Sequence, residues 1–261
     1  MLNWIKNQEI HGHVTFSIDD VRKEFSGKSE SAFRGALQRA LASGRIQNVR
    51  SGFYVIVPAQ YVLGGVVPPS YYIDALAQWM GKSYYICLLS AAAMHGAGHQ
   101  RPMVTQVMTV PPRAAKSEKN PHIDWNYRQI VPQEMLVQKN AEMGIVKYSS
   151  IELTAVDLVQ FADHVGGYQR AATVLAELAP SIRPEFLSAV IPYTTVAALQ
   201  RLGYLLEFVL EENRLADDLY TLLKNKTFKK IAMRSELPED TSCATNRWRV
   251  NMNIGIEIDE L

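Results

Sequence analysis

Residues 16–57 read FSIDDVRKEFSGKSESAFRGALQRALASGRIQNVRSGFYVIV, and this stretch decides the fold. Ser17 stands where a helix N-cap is wanted, ahead of Ile18-Asp19-Asp20-Val21. Asp20 lies three residues on, at the position of a capping carboxylate, and Phe16 and Val21 fill the two hydrophobic-staple positions. The predicted helix is short and ends near Phe25. Ser26-Gly27-Lys28 turns the chain, Ser29 caps a second helix that runs to about Ser43, and Gly44 closes it. In that helix Phe33, Ala36, Leu37, Ala40 and Leu41 recur at i, i+3, i+4, i+7 and i+8, one buried face at about 3.6 residues per turn. The opposite side collects Ser31, Arg34, Gly35 and Gln38. Arg45 to Arg50, a Ser51-Gly52 turn and Phe53 to Val57 then read as a β-hairpin.

Two helices followed by a basic hairpin predict a winged helix-turn-helix, whose second helix enters a DNA major groove while the wing follows the backbone. Arg34 and Gln38 are the expected base readers, since their side chains can address base edges. Ser29 and Ser31, at the helix start, are candidates to hold a phosphate. Lys28, Arg39, Arg45 and Arg50 are expected on phosphates. Double-stranded DNA is favoured over single strands, because Phe33, Phe53 and Tyr54 are better used in the core than as stacking platforms. Winged helices also serve as dimerisation or protein-docking modules, so the fold alone does not assign the function.

Charge points the same way. Residues 1–60 hold eight Lys/Arg against five Asp/Glu, net +3, while the rest of the 261 residues hold 19 against 21, net −2. Between Arg22 and Arg50 there are seven basic and two acidic residues. A local basic patch on a chain of net charge +1 is the footprint of a nucleic-acid module.

The chain is 48% hydrophobic and 20% charged, within the range of folded proteins. Its longest apolar runs, such as Tyr84 to Met94, fall short of the about 20 residues that a membrane helix needs. Met1 to Ile10 lacks the features of a secretory signal, and Cys87 and Cys243 fit no metal or redox spacing, so free thiols in a cytoplasmic protein are expected.

Gly64-Gly65 and Pro68-Pro69 interrupt the periodicity and predict a junction: a winged helix-turn-helix domain at 1–60, a linker at 61–70 and a larger domain at 71–261. In the larger part, short helices are expected at Tyr71–Met80 and Ser90–Met94, and strands at Met103–Val110, Ile123–Ile130 and Gly144–Tyr148. Helices follow at Thr154–His164, Tyr168–Ala179, Thr194–Glu212 and Leu215–Lys224, with a closing strand at Arg247–Ile258. Segregated helices and strands predict an α+β fold with a helical C-terminal portion.

No catalytic motif stands out. His95 and His99 are four apart, but Gly96 and Gly98 lie between them and no third ligand is suitably spaced, so no metal is expected and backbone-bonded loop histidines are the simpler reading. Gly81-Lys82-Ser83 ends like a phosphate-binding loop, yet Leu76 stands where its first Gly belongs. Asp217-Asp218 and Glu257-x-Asp259 are better read as solvated charge, and Cys87, Ser90 and Thr109 have no evident partnered base. Neither an enzyme nor a cofactor is expected.

The order of winged helix, then Tyr84-Tyr85-Ile86-Cys87-Leu88-Leu89-Ser90-Ala91-Ala92-Ala93-Met94-His95-Gly96-Ala97-Gly98-His99-Gln100-Arg101-Pro102, resembles the AbiEi family of antitoxins. Thr154 to Val159 with Gly166-Gly167, and Arg201-Leu202-Gly203-Tyr204-Leu205-Leu206-Glu207, are similar to that family too. The resemblance implies the antitoxin of a type IV toxin–antitoxin pair associated with abortive phage infection. Such a protein represses its own promoter by binding inverted repeats through the N-terminal domain. Its C-terminal domain counteracts a nucleotidyltransferase-like toxin without a stable complex. His95, Gly96, His99 and Gln100 are the antitoxin-domain candidates under this resemblance. The alternatives are a ligand-sensing transcription factor and a DNA-tethered nuclease or nucleotidyl-transferring enzyme.

Overall fold

A computed structural model of the chain describes residues 1–62, 66–98, 102–113, 120–142 and 144–258. The chain divides into two compact units, the first comprising Met1–Tyr85, Met103–Val131 and Gln138–Lys147, and the second Ile86–Pro102, Pro132–Val137 and Tyr148–Leu261.

The first unit begins with α1 (Leu2–Ile10), β1 (Thr15–Ser17), α2 (Ile18–Glu24), α3 (Glu30–Ala42), β2 (Ile46–Arg50) and β3 (Phe53–Ile56). The strands form an antiparallel sheet of order β1-β3-β2. This is a winged helix arrangement, and local sequence builds it. Ser17 Oγ accepts from the Asp20 amide at 3.2 Å while Asp20 accepts from the Ser17 amide at 2.8 Å, a complete capping box. Ser29 caps α3 by accepting from the Ala32 amide. Phe33, Leu37 and Ala40 are buried as their spacing requires, against Ile5, Phe16, Val21, Ile46, Tyr54 and Ile56. α1 and β1 carry no clear signal in the sequence. Only one turn of α1 carries an apolar stripe (Met1, Trp4, Ile5), and β1 is three residues long, so neither is periodic enough to stand out. Both are held by tertiary contact: Trp4 meets Phe16 edge-on at 5.1 Å, and Phe16 stacks on Tyr54 at 5.3 Å.

The hairpin is tied down by later residues of the same unit. Phe53 packs on Trp79 of α4 (Ile73–Trp79) with ring centroids 5.3 Å apart. Asn120 donates to the Val49 carbonyl and to the Tyr72 hydroxyl, and Gln47 accepts from the Val67 amide. A five-stranded sheet has the order β6-β5-β4-β8-β7, formed by β4 (Tyr84–Ile86), β5 (Thr105–Thr109), β6 (Ile123–Tyr127), β7 (Leu136–Ala141) and β8 (Gly144–Ser149). β5 and β6 run parallel from Thr105↔Ile123 to Thr109↔Tyr127. β4 and β7 were not expected from sequence: β4 is three fully buried residues with no alternation, and β7 reads polar through Gln138-Lys139-Asn140.

The second unit is helical, with α5 (Leu88–Met94), α6 (Ile151–Gln160), α7 (Tyr168–Leu178), α8 (Pro184–Val190), α9 (Val196–Tyr204) and α10 (Asn213–Leu222). Every residue from Glu152 to Val159 of α6 is buried, and α5, α7, α8 and α9 pack around it, with α10 against α8 and α9. The helix expected at Thr194–Glu212 instead changes to a π turn at Leu205–Val209 and stops before Glu211, whose φ is +59°. α8 is too short, at seven residues, for its periodicity to stand out, although Pro184 at its first position is a helix-start signal.

The expected closing strand at Arg247–Ile258 is corrected by the structure. Only Val250–Asn251 (β10) joins a ladder, parallel to Ile231–Ala232 (β9). Arg249, with φ +55°, ends the extended run on one side. On the other side, side-chain amides replace strand pairing: Asn251 accepts from and donates to the backbone of Asp240, and Asn253 does the same to Arg234. The alternating apolar residues divide accordingly, Trp248 and Val250 being buried, Met252 and Ile254 half-buried.

Trp248 is fully buried beside Gly203 of α9, where an added Cβ would lie 2.3 Å from the indole. Its Nε1 donates to Glu207 at 2.6 Å. Gly203→Ala is therefore expected to lower stability by about 1–3 kcal/mol through overpacking. Urea unfolding checks this, and a wild-type midpoint would contradict the packing described.

Candidate nucleic-acid interface

Because α3 spends Phe33, Leu37 and Ala40 on the core, helical geometry turns its other residues outward. Ser31, Arg34, Gln38 and Arg39 are exposed, as are Lys28 and Ser29 just ahead of the helix. Lys28 lies over the Phe25 ring with its ammonium 5.4 Å from the centroid. The Ser29 hydroxyl is occupied by the cap and lies 3.2 Å from the Ser31 hydroxyl, so the helix start offers Ser31 and backbone amides more than a free Ser29 oxygen. Arg45, at the base of the hairpin, is exposed; Arg50, at its far end, is half-buried.

Arg50 sits at an irregularity of the β2–β3 register, next to the Ser51-Gly52 turn. Gly52 has φ +82°, its carbonyl accepts from the Ile18 amide at 2.8 Å, and a Cβ there would lie 3.4 Å from Ile18. The turn is thereby fixed to the start of α2. Lys82 donates to the carbonyls of Val110 and Pro112, which accounts for this residue without a phosphate-binding loop. Burial, and then the nearby charge of Arg50, push the Lys82 pKa down.

One acidic group stands among the basic residues of this face. Glu30, the first residue of α3, accepts from Arg34 through Nε at 3.0 Å, with Nη2 at 2.9 Å, and from Arg22 of α2 at 3.3 Å. The Glu-to-Arg spacing of four residues was the available signal. The hydrogen bonds that Arg22 donates to Asp19 and Glu30 hold its pKa above the ordinary value.

In the second unit, α5 ends at His95, whose Nε2 faces the Ser149 carbonyl at 2.8 Å and therefore donates to it. The ring lies 5.0 Å from that of Tyr148. Gly96, with φ +87°, makes the turn, and the Gly98 amide donates to Glu177 at 2.7 Å. His95 and Gly96 thus shape the chain at the end of α5. His99 and Gln100, as well as Gly64-Gly65 of the expected junction and Asp259, lie outside the described residues. Among the described residues no group of three or more His, Cys, Asp or Glu could hold a metal, and no helix is long and apolar enough to cross a membrane. Asp217 pairs with Arg247 at 2.6 Å. Cys87 and Cys243 are free thiols.

Residues 84–208 match a protein-family model described as the AbiEi antitoxin C-terminal domain. No curated protein matches the chain. Among solved structures, the crystal structure of the RV2827C protein from Mycobacterium tuberculosis is similar with a TM-score of 0.68 and 12% identity, over 94% of this chain and 88% of that one. The likeness is one of fold.

Burial pushes the His95 pKa below its ordinary value, an effect partly opposed by its bond to Ser149 and by the charge of Glu152. The unfolded chain then binds more protons than the folded one, so this group's contribution to stability is present above the ordinary value of about 6.5 and is lost as pH falls through the folded one. The urea midpoint is expected to fall between about pH 7 and pH 5, and His95→Gln to flatten that slope. An equal slope in the variant would contradict the assignment.

Proposed function

We propose that this chain, whose residues 84–208 match the AbiEi antitoxin C-terminal domain, is an antitoxin of that family, cytoplasmic, that also represses its own promoter. The observation that carries the DNA half is the outward face of α3, where Ser31, Arg34, Gln38 and Arg39 stand exposed on a winged helix with a cationic hairpin. The duplex is double-stranded and carries inverted repeats, each read by α3 in the major groove, with Lys28, Arg39, Arg45 and Arg50 on phosphates and Ser29-Ser31 at the helix start. The match of residues 84–208 supports the antitoxin half: the partner is a nucleotidyltransferase-like toxin, counteracted without a stable complex and without enzymatic activity of this chain. His95 and Gly96, with His99 and Gln100, belong to that half.

Fluorescence anisotropy against the upstream region, repeated over a range of salt, tests the DNA half: affinity should fall steeply as salt rises. Arg34→Ala or Gln38→Ala should cost about 1–3 kcal/mol of preference at one base pair, while Arg50→Ala weakens all sequences alike. Binding that is absent, or flat with salt, would overturn it. Co-expression with the toxin tests the other half: Arg34→Ala should release the promoter yet still restore growth. Loss of rescue by this variant would show that the two activities are not separable in this way.

A further inference from the structure

We propose that Glu30 is a positioning residue that braces Arg34 for recognition of guanine, an inference that rests on the DNA-binding reading of α3. A guanidinium has a side edge, Nε with Nη2, and an end edge, Nη1 with Nη2. Glu30 Oε1 takes the side edge of Arg34, at 3.0 and 2.9 Å. Nη1 meets no protein acceptor among the described residues, and with the second hydrogen of Nη2 it makes up the end edge, whose paired donors fit O6 and N7 of guanine.

Glu30 is itself anchored on the other side by Arg22, a residue of the preceding helix, at 3.3 Å. The Arg22–Glu30–Arg34 chain therefore ties the side chain of Arg34 to both helices of the motif. Arg34 is 65% exposed and Glu30 49%, so an unbraced Arg34 would sample many rotamers and lose that freedom on binding. A carboxylate on a face that meets DNA also repels phosphates, which weakens binding to every sequence. Bracing one base contact while disfavouring the backbone raises the ratio of specific to non-specific affinity, since specificity is a difference of affinities. A charge that merely favoured the helix start would do the first of these for no base pair.

Selection of duplexes from a randomised pool, followed by titration of the full chain and of Glu30→Gln, Glu30→Asp, Arg34→Ala and the Glu30→Gln/Arg34→Ala double variant, tests the proposal. The wild type should prefer guanine at one position per half-site, and Arg34→Ala should lose that preference. Glu30→Gln should reduce discrimination there by about tenfold while binding non-cognate duplex more tightly. Glu30→Asp, which keeps the charge but shortens the reach, should lose discrimination without the gain in non-cognate binding. The double variant should discriminate no worse than Arg34→Ala, because Glu30 acts through Arg34. Thermal unfolding of each variant separates a folding defect from a recognition defect, and Glu30→Asp serves if Glu30→Gln is unfolded. Unchanged guanine discrimination in a folded, DNA-binding Glu30→Gln or Glu30→Asp overturns this proposal alone, as does additional loss in the double variant. A wild type that binds no duplex at any salt overturns the DNA reading, and this proposal falls with it.

Discussion

The apolar stripe of α3 is the constraint on which the N-terminal architecture rests. Phe33, Leu37 and Ala40 must leave water together, and the surfaces that receive them come from five other elements: Ile5 of α1, Phe16 of β1, Val21 of α2, Ile46 of β2, and Tyr54 and Ile56 of β3. At about 25 cal/mol per Å² of apolar surface buried, this contact outweighs any surface ion pair nearby, whose worth is about 0–1 kcal/mol. It also sets the rotation of α3 about its axis. Arg34 and Gln38 are outward because Phe33 and Leu37 cannot be, so the candidate interface is a by-product of core packing.

In the second unit the corresponding part is played by the segment Arg201 to Glu207, which the sequence singled out without showing what it does, together with Gln200 just before it. Gln200 donates to the carbonyls of Lys229 and Trp248, Arg201 donates twice to that of Ala232, Gly203 admits the Trp248 indole, and Glu207 accepts from Arg247 and Trp248. One helical segment thereby holds the irregular chain between residues 229 and 248. The family match ends at residue 208, so what these residues grip lies beyond it.

The winged helix was legible because its signals are local: two side-chain caps, a regular apolar stripe and a glycine turn. The α+β character followed from the helices read at Tyr168–Ala179 and Leu215–Lys224 and from the strands read at Met103–Val110 and Ile123–Ile130. What escaped was fixed by distant partners. α1 and β1 exist because Phe16 and Tyr54 cover them, β7 carries a polar sequence, and the closing strand was lost to amide side chains that no periodicity records. The basic residues of the candidate interface were readable from charge, but the part played by Glu30 required knowing that Arg22, eight residues earlier, returns to the same carboxylate.

Those amide side chains have a consequence for how the protein meets its own copies. Asn251, Asn253 and Gln169 each pair with both the amide and the carbonyl of a single residue, respectively Asp240, Arg234 and Glu257. Each thus imitates one rung of a β-ladder without supplying a strand. A backbone so satisfied is ordered, yet at those residues it offers no run of free amides and carbonyls on which another chain could template a sheet. The segment gains the fixity of β-structure while forgoing the exposed edge that makes β-structure sticky.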